Sequence, residues 1–234
     1  MARSFDGVDD IIISQGSTGI SSYRWIVGVW FRTSAALGRK IIGAESGNTP
    51  TEGIYHHPHL YVGTDGKLYW GAFDGSVKLV ITPFTVTDNV WRCAVGVCIW
   101  NSYVMLFVDG QLIGTTSLGT YQDATCWWKI GGYNLHTSWP NGGYGFFPGE
   151  IGEVRVYRFP TSFQITDSVI ETIVKSMYRR RPAAQDYLYL YYPLWEKGNP
   201  SFFLDHSGRY DNGTRYGTTY ADDPPRLGGS MVAP

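Results

Sequence analysis

The stretch that decides the fold is Val90 to Thr116, VWRCAVGVCIWNSYVMLFVDGQLIGTT. Its first part alternates at period two, with Cys93, Val95, Val97 and Ile99 on one face and Arg92, Ala94, Gly96, Cys98 and Trp100 on the other. Asn101-Ser102 interrupts the run, a second apolar run spans Tyr103 to Val108, and Asp109-Gly110 precedes Gln111-Leu112-Ile113. An Asp-Gly pair between apolar runs signals a hairpin, because a type I′ turn needs positive φ at both central residues. The stretch therefore reads as a three-stranded antiparallel meander. Bulk on both faces of its first strand is expected to place it in the middle of a large sheet.

Tyr23 to Arg32 repeats the pattern, setting Trp25, Val27, Val29 and Phe31 against Ile26, Gly28, Trp30 and Arg32, so it too should be covered on both sides. Ser4 to Ser14 begins with an Asp-Gly turn and ends in an Ile11-Ile12-Ile13 strand. Shorter strands are expected near Lys40–Glu45, Ile54–Val62, Lys67–Phe73, Val77–Ile81 and Trp127–Gly131, with turns at Thr64-Asp65-Gly66 and Asp74-Gly75. Thr82-Pro83 should end the Val77 strand, since proline has no N–H for a ladder. After an Ile151–Phe159 strand the period changes: Val169, Ile170, Ile173, Val174, Met177 and Tyr178 recur at helical spacing. This predicts a helix over about 167–181, with Ser168-x-x-Glu171 as its capping box. Arg179 to Arg181 would close its last turn, where cations suit the helix dipole, before Pro182. Tyr187 to Trp195 alternates again as a strand.

The composition fits such a fold. Of 234 residues, 43% are hydrophobic and 16% aromatic, enough for a substantial core, and 29 glycines with 12 prolines suit many short strands. A net charge of −1 with 17% charged residues supplies no field toward nucleic acid or an anionic membrane, so neither is an expected partner. No apolar run approaches the ~20 residues of a spanning helix. Met1 to Asp6 has no apolar core of a leader, so no signal peptide is expected. Cys93 and Cys98, on opposite faces of one strand, would stand roughly 17 Å apart, beyond the ~7 Å a disulfide can close. All three cysteines are expected reduced, with Cys126 the only sterically open partner for either.

Trp91-x-x-Ala94-Val95-x-Val97, followed by Leu106-Phe107-Val108-Asp109-Gly110-x-Leu112-Ile113-Gly114-Thr115, resembles the centre of the laminin-G-like, concanavalin A-type jelly-roll family. Ile130-Gly131-Gly132-Tyr133 with Gly149 to Tyr157 resembles its closing signature, although the family more often has Asp where this chain has Gly152. The resemblance implies an all-β, two-sheet antiparallel jelly-roll sandwich with one short helix, as a single domain over 1–225 and an extended tail over 226–234. A block like Tyr192-Pro193-Leu194-Trp195-Glu196, Asp205-x-Ser207-Gly208 and Asn212-Gly213-Thr214 ordinarily opens the family's domain. Here it comes last, over about 187–225, so the domain resembles a circularly permuted one of the kind encoded by tailed bacteriophages.

That likeness implies a non-catalytic virion structural or decoration protein, made in the host cytoplasm, contacting capsid or tail proteins and forming homo-oligomers. The alternative is a carbohydrate-binding, lectin-like module without enzymatic activity. Relatives include glycoside hydrolases, but a retaining glycosidase needs carboxyl groups about 5–5.5 Å apart. Glu150 and Glu153, three residues apart, would face opposite sides of a strand, and no Glu-x-Asp-x-x-Glu pattern occurs. His57 and His59 of His56-His57-Pro58-His59 would share a face, yet zinc needs further ligands that the sequence does not nominate. No cofactor is expected; the resemblance leaves calcium as the candidate ion, through Asp6, Asp9, Asp10 and Asp205. The long Tyr133–Pro148 stretch, YNLHTSWPNGGYGFFP, is expected to bind a ligand or partner through Tyr133, His136, Trp139, Tyr144 and Phe146. These aromatics, with the tail after Pro224, should be surface anchors that the core does not need.

Overall fold

A computed structural model describes residues 2–21, 23–51, 53, 56–120 and 124–225. The first strands are β1 (Ala2–Asp6), β2 (Ile11–Ser14), β3 (Thr18–Gly19), β4 (Tyr23–Arg32), β5 (Arg39–Glu45), β6 (His56–Val62), β7 (Lys67–Phe73) and β8 (Val77–Thr85). The meander follows as β9 (Arg92–Ile99), β10 (Tyr103–Val108) and β11 (Gln111–Ser117), then β12 (Thr125–Ile130) and β13 (Pro148–Pro160). Helix α1 (Asp167–Tyr178) precedes β14 (Leu188–Tyr192), β15 (Phe202–Phe203), β16 (Gly213–Tyr216) and β17 (Thr219–Ala221). The described strands form two antiparallel sheets. One runs β11-β10-β9-β4-β13-β1-β17, with β14 also on β13; the other runs β15-β16-β2-β12-β5-β6-β7-β8, with β3 on β12.

The meander forms as its alternation requires. Asp109 and Gly110 both take positive φ, 50° and 83°, as a type I′ turn demands. Its place differs from expectation: β11 is a sheet edge, and the central strands are β4 and β13. Bulk on both faces of β9 arises because each face has its own cover. Ala94, Cys98 and Trp100 join Trp25, Val27, Val29 and Phe31 in the core between the sheets. Cys93, Val95, Val97 and Ile99 join Ile26, Trp30, Tyr157 and Phe159 in a second core under Ile170, Ile173, Val174 and Met177 of α1. Gly96 is required on the inter-sheet side, where a Cβ would run into the Trp70 indole that donates to the Val97 carbonyl at 2.9 Å. All three cysteines are buried and no disulfide joins them.

Two strand ends depart from the sequence reading. β8 continues through Pro83 to Thr85, because β8 is the edge of its sheet and the Thr82 hydroxyl accepts the Leu68 N–H at 3.0 Å. The helix stops at Tyr178, and its N-cap is Thr166, whose side chain accepts the Val169 N–H; Ser168 lies inside the first turn. Arg180, at φ 55°, has left the helix and instead holds Glu153 at 3.2 Å and Asp223 at 2.9 Å.

The C-terminal block is woven into both sheets. β14 pairs with β13, β16 with β2, and β17 with β1. Buried Pro224 then crosses β13 at Gly152. A Cβ at Gly152 would lie 2.5 Å from the Pro224 ring, which explains why this chain lacks the family's usual Asp there. Residues 226–234, assigned above to a tail, lie outside the described residues. Gly152→Asp should therefore expel the 222–225 segment. We expect a loss of about 1–3 kcal/mol from overpacking, read by thermal melting, and faster proteolysis near Pro224 than in the parent chain.

Candidate functional site

The segment after β12 is strapped across the outer face of the second sheet. That face carries Lys40 and Glu45 of β5, His59 and Tyr61 of β6, Tyr69 of β7 and Lys129 of β12, since their neighbours Ile42, Ala44, Leu60, Leu68, Trp128 and Ile130 point into the core. Lys40, Glu45 and Lys129 are all fully buried. Lys129 pairs with Glu45 at 3.0 Å, and Lys40 is in contact with the other Glu45 oxygen. Burial, then the Lys129 charge, push the Lys40 ammonium well below its ordinary pKa. The Asn134 N–H also donates to Glu45, at 3.0 Å, tying the start of the loop to this buried charge group.

Further ties run along the loop. The Tyr61 hydroxyl donates to the Pro140 carbonyl at 2.7 Å, and the Asn141 amide to the Tyr69 hydroxyl at 2.7 Å. Leu135 and Trp139 fill a small apolar cluster with Tyr61 and Tyr69. The Trp139 ring lies 4.7 Å from His59 and 6.1 Å from Tyr61. The loop is long because it is a cover, so the five nominated residues separate. Trp139 is 2% exposed and is no surface anchor. His136 is exposed, its Nδ1 within 3.1 Å of the Ser138 hydroxyl. Tyr133 and Phe146 are half-buried with ring centroids 5.6 Å apart, and Tyr144 is 52% exposed.

The loop returns beside the turn between β1 and β2. Asp6 pairs with Pro148, Phe147 donates to the Gly131 carbonyl at 2.8 Å, and Gly131 packs on Phe5 and the Asp10 carbonyl. Asp6, Asp9 and Asp10 each bring a carboxylate oxygen within 4.8 Å of the others. Asp6 accepts the Val8 N–H at 2.7 Å and Asp10 accepts the Asp6 N–H at 2.7 Å, so the turn itself gathers the three acids. Burial raises the Asp10 pKa, and the charges of Asp6 and Asp9 add to it. Two ligands on one calcium, each at 2.3–2.6 Å, stand no more than about 5 Å apart; this donor set fits. Asp205 is elsewhere, accepting the Tyr191 and Ser207 N–H groups at 2.9 Å. His59 is buried under Trp139 and, among the described residues, belongs to no metal-like cluster; the side chains of His56 and His57 lie outside the described residues.

The two glutamates of β13 share a face, contrary to the count of residues between them. A bulge between Ile151 and Val154 sets two residues against one of β4, so Glu150 and Glu153 both lie on the outer side. Each is committed to arginine: Glu150 accepts the Nε–H and an Nη2–H of Arg32, at 2.8 and 2.9 Å, and Glu153 pairs with Arg155 and Arg180.

Two outcomes are expected. Trp139→Ala should lose about 3–5 kcal/mol, the range for a buried tryptophan, seen as a lower denaturation midpoint; a change below 1 kcal/mol would contradict the strap. Asp10 titrates above its unfolded value of 3.8, so the native state holds its proton more tightly. Its contribution is present at acid pH and is lost as pH climbs through the raised value. Without divalent ions, Asp10→Asn should flatten that part of the stability–pH curve, measured by melting between pH 3 and 8.

Comparison with known proteins agrees with this architecture. A family model described as "Concanavalin A-like lectin/glucanases superfamily", of laminin G type, matches residues 6–163. No curated protein sequence matches the chain. Among solved structures, the heptameric SAP-like pentraxin of Limulus polyphemus superposes with a TM-score of 0.52 at 16% identity, over 74% of this chain and 81% of that one. Domains LG4-5 of the mouse laminin alpha1 chain give 0.52 at 18%, over 70% of this chain and 44% of that one, so this chain spans less than half of that fragment. At such identities the likeness concerns the fold. The family match over most of the chain, on a two-sheet jelly roll, makes this protein a member of the laminin-G-type family in the concanavalin A-like lectin/glucanases superfamily.

Proposed function

We propose that the protein is a non-catalytic, lectin-like attachment module that is carried on a virus particle and grips a surface glycan at one rim of the sandwich. The observation that carries this reading is that the loop holding Tyr133, Tyr144 and Phe146 ends at Pro148 opposite Asp6, in the turn that gathers three carboxylates. Aromatic faces stack on the apolar side of a sugar, while a calcium held by Asp6, Asp9 and Asp10 would supply a cation for its hydroxyl groups. The commitment of Glu150 and Glu153 to arginines supports a binding role over glycoside hydrolysis.

Attachment to capsid or tail proteins rests on the likeness to permuted domains encoded by tailed bacteriophages. A homo-oligomer is part of the same proposal. The pentraxin that shares the fold is heptameric, and this chain exposes Trp195, Phe202 and Leu204 at and near the edge strand β15. Several weak rims on one particle would act through effective concentration.

The test is a glycan array and melting curve, with calcium and with chelator. Calcium at a hundred times its Kd should stabilise the protein by about 2.7 kcal/mol, and Asp9→Asn should abolish both that shift and glycan capture. Absence of any captured glycan would remove the lectin reading. Co-sedimentation with purified particles checks the attachment, and a chain that stays in the supernatant would refute it.

A further inference from the structure

At the other end of β2, the turn Gln15–Ser17 faces the loop that ends at Asp211, and a surface cleft of about 340 Å³ lies between them. Arg158 of β13 reaches it with its guanidinium 4.3 Å from the Tyr23 ring and 4.3 Å from the Tyr189 ring. Arg209 stands 5.1 Å from the same Tyr189 ring. Among the described residues, neither guanidinium takes part in a salt bridge or a side-chain hydrogen bond. Stacking occupies the faces of a guanidinium and leaves its N–H fork, which lies in the plane. Two like charges thus share one ring. Burial, then the charge of Arg209, lowers the Arg158 pKa from its ordinary value.

Two other lining groups bear on what the cleft can hold. Asp211 is the acidic group of the cleft; its carboxylate accepts the Gly16 N–H at 2.6 Å, burial raises its pKa, and the Arg209 charge partly offsets that rise. Tyr210 is 82% exposed with φ of 60°, a left-handed conformation that bulky residues seldom adopt. The volume lies at the lower end of the ~300–1,000 Å³ of ligand pockets, suited to a single sugar unit. The larger cleft of about 510 Å³ beside Trp100 offers no such fork, because Arg24 already donates to the Phe163 carbonyl.

We infer that the cleft between Gln15–Ser17 and Arg209–Asp211 binds an anionic sugar residue, its carboxylate held by Arg158 and Arg209 and its ring laid against Tyr210. Arginine forks match carboxylates in bidentate geometry, so charge and direction are read together. The site needs no calcium and is separate from the rim across β2.

Calorimetry in chelator keeps the two sites apart, with trigalacturonate, galactotriose and inorganic phosphate as probes. Trigalacturonate should bind at least tenfold more tightly than galactotriose. Arg158→Gln and Arg209→Gln should each weaken trigalacturonate tenfold or more. Tyr210→Ala should weaken trigalacturonate about fivefold and leave phosphate unchanged. Arg209 and Tyr210 are exposed, so melting temperatures of those two variants should match the parent, which guards against misfolding. Equal affinity for galactotriose, binding that survives Arg209→Gln, or no binding of trigalacturonate would overturn the inference. Phosphate bound as tightly as trigalacturonate, with Tyr210→Ala silent, would also overturn it, leaving a simple anion site.

Discussion

Strands β4, β9 and β13 are buried on both faces along most of their length, and the rest of the molecule is arranged to satisfy that demand. A strand of this kind is stable only when each face has its own cover. The second sheet covers one side, with Trp25, Trp70 and Trp128 in the shared core. The other side is closed by α1, whose Met177 lies where a Cβ on Gly28 would stand. Trp30 ties the two layers together by donating to the Met177 carbonyl at 3.1 Å.

The second sheet solves the opposite problem. Its outer face is polar, yet it is buried, because the loop after β12 lies on it. A buried lysine–glutamate–lysine group is costly to desolvate, and removing one member of such a group typically costs about 3–5 kcal/mol. Here the group fixes where the loop begins, through Asn134, while Trp139 and Tyr61 fix its middle. The rim therefore inherits its geometry from charges that are nowhere near solvent. Rigidity at a binding rim lowers the entropy lost on capture.

The C-terminal block adds a cleft as well as closure. Its strands complete both sheets, and the same block supplies Tyr189, Arg209 and Tyr210 to the cleft that faces β2. The rim and the cleft sit at opposite ends of one short strand, about 17 Å of backbone apart from Asp10 to Gln15 at roughly 3.4 Å per residue. One is acidic and one is basic, which accords with a near-neutral whole.

The sequence by itself determined what depends on near neighbours. Alternation along Arg92–Ile99 and Tyr23–Arg32 assigned every side chain there to its observed face, and Asp109-Gly110 named its own turn. The spread of Cys93 and Cys98 to opposite faces excluded a bridge between them. Helical spacing found α1, but not its cap, because Thr166 and Ser168 are equally good N-cap residues in isolation. Tertiary structure decided the remainder. One bulge put Glu150 and Glu153 on the same face, since an inserted residue shifts the period-two count. Trp139 looked like an anchor because its loop is polar and Gly-rich, and only its position above Tyr61 and His59 buries it. Asp6, Asp9 and Asp10 were legible as a group because one turn holds them, whereas Arg158 and Arg209, 51 residues apart, meet through Tyr189. Local pattern specifies which way a residue points; what it meets there is set by chain segments distant in sequence.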